Sequence, residues 1–285
     1  MDTPAPTGQC SSGQPSPCEL QARMKRRLGR IKRKILVMSG KGGVGKSSTA
    51  VNLALTLAQD GYAVGLLDID LHGPSVPKML GLGNQQLQNG ADGLLPVEYL
   101  SNLKVISVGF LLGDEDEALI WRGPAKTALI QQFLRDVQWD ELDFLIVDCP
   151  PGTGDEPMTA VQTLLGDDQN SGAVIVTTPQ EVALLDVQKS VTFCRRLEMP
   201  VLGIIENMSG FACPKCGEVI DIFKSGGGEQ IAQRMKAPFL GKIPMDTAMV
   251  LAGDSGKPYM ATRAETETGE TYRRIVAALM NPATK

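Results

Sequence analysis

The sequence predicts an α/β fold, a doubly wound, mostly parallel sheet flanked by helices. Short apolar runs closed by Gly, Pro or Asp alternate with longer segments in which apolar residues return every three or four positions, the pattern of successive βαβ units. A glycine-rich turn joins the first such run to the first helical segment. With 285 residues, 42% of them hydrophobic and 21% charged, the chain is long enough to bury a sizeable core and too apolar to stay disordered.

Taken in order, residues 1–30 read as a flexible tail and basic lead-in, the first twenty being rich in Pro, Gly, Ser and Gln; residues 31–285 read as one domain. Strands are expected at 35–39, 63–68, 103–109, 144–148, 173–177, 201–206 and near 240–243, seven in one open sheet. Helices are expected at 47–60, 126–137, 156–165, 181–198, 226–234 and 265–280. No run of eighteen apolar residues is present and the first twenty residues hold no apolar signal core, so a cytoplasmic protein without a membrane partner is expected. In that compartment the six cysteines are thiols or metal ligands rather than a disulfide framework.

Residues 23–34 carry Arg23, Lys25, Arg26, Arg27, Arg30, Lys32, Arg33 and Lys34 and no acid, within a chain of net charge −4. One reading is a solvated helix leading into the first strand, the other an arm for a polyanion. No aromatic residue interleaves the run, so nucleic acid is disfavoured as a partner.

The turn after the first strand satisfies the strand–GxxxxGK[ST]–helix pattern: Gly40, Lys41, Gly42, Gly43, Val44, Gly45, Lys46, Ser47, followed by Ser48. Such a loop points backbone N–H groups at phosphate oxygens, aided by the N-terminus of the helix that follows. Lys46 would reach the β- and γ-phosphates and the Ser47 hydroxyl would ligate Mg²⁺. Lys41 is not needed for the chain's own nucleotide; one residue into the turn, it could neutralise phosphates held by a facing subunit. Asp68 and Asp70 close the second strand before Gly73-Pro74-Ser75, and Asp148 closes the apolar strand 144–148, where an acid holds Mg²⁺ through water. Gly152 could offer its N–H to the γ-phosphate. No Asn-Lys-x-Asp string marks a guanine site, so ATP is the expected nucleotide, with Asn207 placed to bind adenine.

Cys213-Pro214-Lys215-Cys216 presents two thiols to one metal centre. Structural zinc requires two further ligands, and the sole histidine, His72, lies far away in the sequence. A redox pair should open a helix, whereas an extended segment follows here. The favoured reading is half a site, completed by a second subunit across a two-fold axis to hold a [4Fe–4S] cluster. Cys149 and Cys194 read as buried apolar residues, and Cys10 and Cys18 as ambiguous tail thiols.

In order, GKGGVGKSS at 40–48, LLDIDLHGPSVP at 66–77, WRGP at 121–124, DFLIVDCPPGTGDE at 143–156, ENMSGFACPKCG at 206–217 and GKIPMD at 241–246 resemble the Mrp and nucleotide-binding-protein family of iron–sulfur cluster carriers. These are P-loop NTPases of the deviant Walker A type, related to MinD and ParA. The resemblance implies a homodimeric ATPase that holds a labile [4Fe–4S] cluster between paired Cys213 and Cys216 and passes it to apo iron–sulfur proteins. It further implies that Lys41 is the signature lysine, that Asp70 positions the attacking water, and that Asn207 and Pro244 flank adenine. The competing readings are a partitioning ATPase of the MinD/ParA type and a nickel-insertion metallochaperone. Some members carry four N-terminal cysteines; here that stretch has only Cys10 and Cys18.

Overall fold

β1 (Ile31–Met38) shows why the sheet forms. Residues 35 to 38 are at most 1% exposed, with Ile35 and Val37 facing one apolar layer and Leu36 and Met38 the other. A strand covered on both faces is the requirement of a parallel sheet. The computed structural model describes residues 16–71, 73–111, 123–165, 171–213 and 215–281. Residues 1–15 of the expected tail, including Cys10, lie outside them, as do His72, Trp121, Arg122 and Pro214.

α1 (Pro17–Leu28) precedes β1, and α2 (Lys46–Gln59), β2 (Val64–Asp68) and the single turn α3 (Val76–Met79) follow it. Next come β3 (Gln88–Gly90), β4 (Gly93–Leu95), β5 (Val97–Leu100), β6 (Leu103–Ser107) and a 3-10 turn at Val108–Leu111. The centre of the chain forms α4 (Gly123–Asp136), β7 (Leu142–Asp148), α5 (Asp155–Leu165), β8 (Gly172–Thr177), α6 (Glu181–Arg196) and β9 (Val201–Glu206). A hairpin of β10 (Phe211–Ala212) and β11 (Val219–Ile220) leads to α7 (Gly227–Arg234) and β12 (Phe239–Lys242). α8 (Thr247–Asp254), α9 (Tyr259–Thr262) and α10 (Glu267–Met280) close the described chain.

The main sheet runs β12-β9-β8-β1-β7-β2-β6-β5, parallel throughout except for β5 against β6. The seven expected strands are all in it. β5 was not expected, because its exposure alternates and it is four residues long, the habit of a half-covered antiparallel edge. α2 and α10 cover one face, α4 and α5 the other, and α6 and α7 pack a third apolar cluster with β8 and β9. α8 and α9 were not foreseen either. Val250 and Leu251 of α8 are 64% and 68% exposed, so its apolar residues do not mark a buried face.

α1 begins at Pro17, inside the stretch expected to be tail. Ser16 and Glu19 form a reciprocal capping box with Pro17 in the first turn. The helix packs on α4, and part of the basic run is tied into the molecule while Lys25, Arg26, Arg30 and Lys32 stay exposed. The Arg27 guanidinium donates to the Val137 carbonyl (3.0 Å) and to Asp92 (2.9 Å), and Arg23 also meets Asp92. Lys32 pairs with Asp143 at 2.8 Å and Arg33 donates to the Leu279 carbonyl at 2.6 Å. The segment is therefore a docked lead-in helix more than a free arm. Replacing Arg27 with alanine removes the buried anchor of α1; a loss of about 1–3 kcal/mol is expected, read by urea unfolding together with faster proteolysis within α1.

Candidate functional site

Parallel strands in register bring their carboxyl ends to one edge, where ligands bind in open α/β sheets. Asp68 of β2 sits opposite Asp148 of β7, Asp148 is in register with Val37 of β1, and Thr177 of β8 is in register with Glu206 of β9. The glycine-rich loop springs from the end of β1 into this edge and opens α2. Gly42 and Gly43 are exposed at its rim, whereas Lys41, Ser47 and Ser48 are half-buried and Gly40 packs against the backbone of Asp186 in α6.

Gly45 caps α2 in the left-handed region, φ 81°. A Cβ there would lie 2.1 Å from Nδ2 of Asn207, so glycine is required twice, by torsion and by contact. Asn207, 9% exposed, donates from Nδ2 to the Val44 carbonyl at 2.9 Å and from its backbone N–H to the Thr177 carbonyl at 2.7 Å. The expected adenine ligand is thus pressed against the phosphate loop. Pro244 lines a cavity of about 250 Å³ with Phe211, Met245, Asp246 and Tyr259.

Lys46 is the electrostatic centre. Its ammonium lies 2.6 Å from Asp148 Oδ1, 3.4 Å from Asp70 Oδ2 and 3.2 Å from the Ser47 hydroxyl. Burial opposes its charge, but Asp148 and Asp70 outweigh burial and hold its pKa above the ordinary lysine value. Asp68 accepts from the Ser107 hydroxyl (2.8 Å) and from the Asp70 N–H (3.0 Å). Burial and the adjacent Asp148 charge push the Asp68 carboxyl up to about 8. Asp148 Oδ2 is buried without a hydrogen-bond partner among the described residues. Asp148 and Asp70 thus share the one ammonium, and a single oxygen of Asp148 is left over to accept a further ligand.

That arrangement carries a pH signature. A carboxyl whose folded pKa is raised favours the fold fully below its ordinary value, and the contribution is lost as pH climbs to about 8. Stability of the nucleotide-free chain should fall across that window by up to about 1.4 kcal/mol per pH unit from this group. Asp68→Asn should flatten the slope, measured by urea unfolding at about pH 5 and about pH 8; an unchanged slope would contradict the assignment.

Two of the expected site residues have partners within the chain itself. The Gly152 N–H, expected to face a phosphate, donates to the Ser39 carbonyl at 2.7 Å and becomes available only if that contact opens. Lys41, expected to project toward a facing subunit, reaches Gln180 Oε1 of its own chain at 3.3 Å. Gln180 and Ser107 were missed, since their partners are far away in the sequence and neither belongs to a glycine or acid pattern.

The two cysteines occupy the β10–β11 hairpin. Cys213 is half-buried and Cys216 exposed, and the turn is held by Cys213 N–H to Glu218 O (2.9 Å) and Gly217 N–H to Cys213 O (2.8 Å). The backbone N–H groups of Lys215 and Cys216, then the Cys216 thiol, hold the Cys213 thiol below its ordinary pKa, which favours the thiolate that binds metal. No cluster of three or more His, Cys, Asp or Glu able to hold a metal occurs among the described residues. Cys149 and Cys194 are fully buried, with pKa values raised by burial, and Cys18 is exposed on α1.

A family model described as ParA, NUBPL iron-transfer P-loop NTPase, matches residues 30–280. The chain belongs to this family. It is 51% identical over 255 residues to the cytosolic Fe-S cluster assembly factor Nubp2 homolog of Anopheles gambiae, covering 88% of this chain and 98% of that protein. It is 47% identical to the iron-sulfur cluster carrier protein of Methanocaldococcus jannaschii, covering 91% and 88%. Among solved structures, the nucleotide-binding protein of Archaeoglobus fulgidus in complex with ADP aligns with a TM-score of 0.75 at 38% identity, over 88% of this chain and 96% of that one. The MinD cell division ATPase of Pyrococcus furiosus aligns at 0.64 with 22% identity, over 88% and 100%, a likeness of fold. No helix among the described residues is long and apolar enough to cross a membrane.

Proposed function

We propose that this NUBPL-family chain is an ATP-hydrolysing carrier that assembles a [4Fe–4S] cluster between two copies of itself and passes it to apo-proteins in the cytoplasm. The observation that carries the reading is the exposed hairpin: two thiols, one biased toward thiolate, with no third donor of the described chain beside them. Two donors are too few for a closed tetrahedral zinc site or a cluster, and a two-fold axis doubles them. Kinship with proteins named iron-sulfur cluster carrier supports the cargo, and the relatives named cytosolic support the compartment.

ATP is the fuel in this reading, bound by the 40–48 loop with Asn207 and Pro244 toward its base. Lys46 would exchange its carboxylate partners for the β- and γ-phosphates. Mg²⁺ fits the Ser47 hydroxyl and the unpartnered Asp148 oxygen, and its chemistry there is to neutralise charge on the phosphates. Asp70 is assigned to the attacking water. Lys41 would have to leave Gln180 to serve a second nucleotide, a step that ties hydrolysis to assembly of the dimer.

The test is anaerobic reconstitution followed by iron, sulfide and zinc analysis with light scattering. About two irons and two sulfides per chain in a dimer are expected. Stoichiometric zinc without sulfide, or a cluster-loaded monomer, would overturn the reading.

A further inference from the structure

Glu206, the last residue of β9, is completely buried yet belongs to neither the nucleotide cluster nor the cysteine pair. Both oxygens of its carboxylate are hydrogen-bonded. Oε1 accepts from the Ser209 hydroxyl (2.5 Å) and the Gly226 N–H (2.9 Å), and Oε2 accepts from the Gly228 N–H. The Ser209 hydroxyl is also 3.1 Å from that of Ser225. Ser209 lies just before the β10–β11 hairpin, and Ser225 and Gly226 lie just after it. Residues 209 to 226, which hold both cysteines, therefore leave from and return to one carboxylate. The approach is tight: a Cβ on Gly228 would come within 2.9 Å of the Glu206 Cβ.

The next residue, one position past the end of β9, turns to the phosphate loop. Asn207 holds the Val44 carbonyl of the phosphate loop and crowds Gly45. Consecutive residues thus grip the two parts of the molecule that a nucleotide-driven carrier must connect.

We propose that Glu206 is the positioning residue through which the state of the phosphate loop reaches the cysteine hairpin. When a nucleotide takes the loop's backbone and the Asn207 amide, the contact with Val44 is exchanged and the 206–207 backbone shifts. Because the Glu206 carboxylate holds both roots of the hairpin, the hairpin moves with it as a unit. The inference rests on the proposed function for its purpose, since it assumes that the cysteines are worked by nucleotide.

The experiment measures labelling of Cys213 and Cys216 by a chromogenic disulfide reagent on the reduced, metal-free full chain, with and without MgATP. Cys10→Ser and Cys18→Ser are introduced first so that labelling of those two thiols does not contribute. In this background MgATP is expected to change the labelling rate by about fivefold or more. Glu206→Gln keeps shape but places an amide where two N–H donors converge. Nucleotide affinity should stay within about threefold, while the nucleotide-dependent change in labelling collapses toward unity. Ser209→Ala, which cuts one root and spares the carboxylate, should show a partial loss and covers the case in which Glu206→Gln fails to fold. A full nucleotide response in either folded variant would overturn the proposal. So would a background chain that binds MgATP with no change in labelling; if that chain still retains iron and sulfide, the carrier reading stands and only the coupling falls. Failure of the parent to retain iron and sulfide would instead sink the carrier reading.

Discussion

Cys213→Ala is expected to reduce iron and sulfide retention after reconstitution to background while ATP affinity stays within about twofold of the parent chain. The two backbone hydrogen bonds that close the turn at residue 213 use its N–H and carbonyl, both of which alanine keeps, and only the contacts to the thiol itself are removed. What is lost is a thiol biased toward thiolate. In a symmetric dimer one substitution deletes two of four ligands, and a cluster held by thiolates has no substitute among the described residues. The measurement is iron and sulfide per chain beside a nucleotide titration on the same sample. Undiminished iron with intact sulfide would refute the assignment.

Lys46→Ala is expected to lower ATP turnover by roughly a hundredfold or more, as removal of a preorganised charge from a phosphoryl-transfer site does. It should also destabilise the nucleotide-free chain. The variant leaves Asp148, wholly buried, beside Asp68 and Asp70 with the ammonium gone. Breaking a buried pair of this kind costs about 3–5 kcal/mol, and the loss should shrink as pH falls and the carboxyls take up protons. The hairpin hydrogen bonds do not involve Lys46, so reconstituted cluster should persist. Steady-state phosphate release and an unfolding series at two pH values decide it; turnover within tenfold of the parent would contradict the role of Lys46.

The parts of this site that were legible in the sequence are those where one residue type is obligatory. Gly45 must adopt a positive φ beside Asn207, and Lys46 must follow it at the helix start. The acids of β2 and β7 stood out as charges closing apolar runs, and register then brings Asp68 opposite Asp148. Long-range partners left no such mark. Nothing local to Lys41 signals Gln180, and nothing local to Gly152 signals the Ser39 carbonyl. The start of α1 was written in the chain as Ser16-Pro17-Cys18-Glu19, a capping box with proline in the first turn, but the surrounding polar composition masked it. α8 escaped because its exposed Val250 and Leu251 spoil the amphipathic period, and its clearest marker is a lone cap, Asp246, whose side chain accepts from the Ala248 N–H at 2.8 Å.

The contact between Arg33, near the amino end of β1, and the Leu279 carbonyl of α10 has a practical corollary. It ties the close of the last helix to the rim of the sheet from which the strands depart, where α1 also enters. A fluorophore placed on the last turn of α10 would therefore sit at the end of the sheet where the strands begin, opposite the carboxyl edge that holds Lys46 and Asp148.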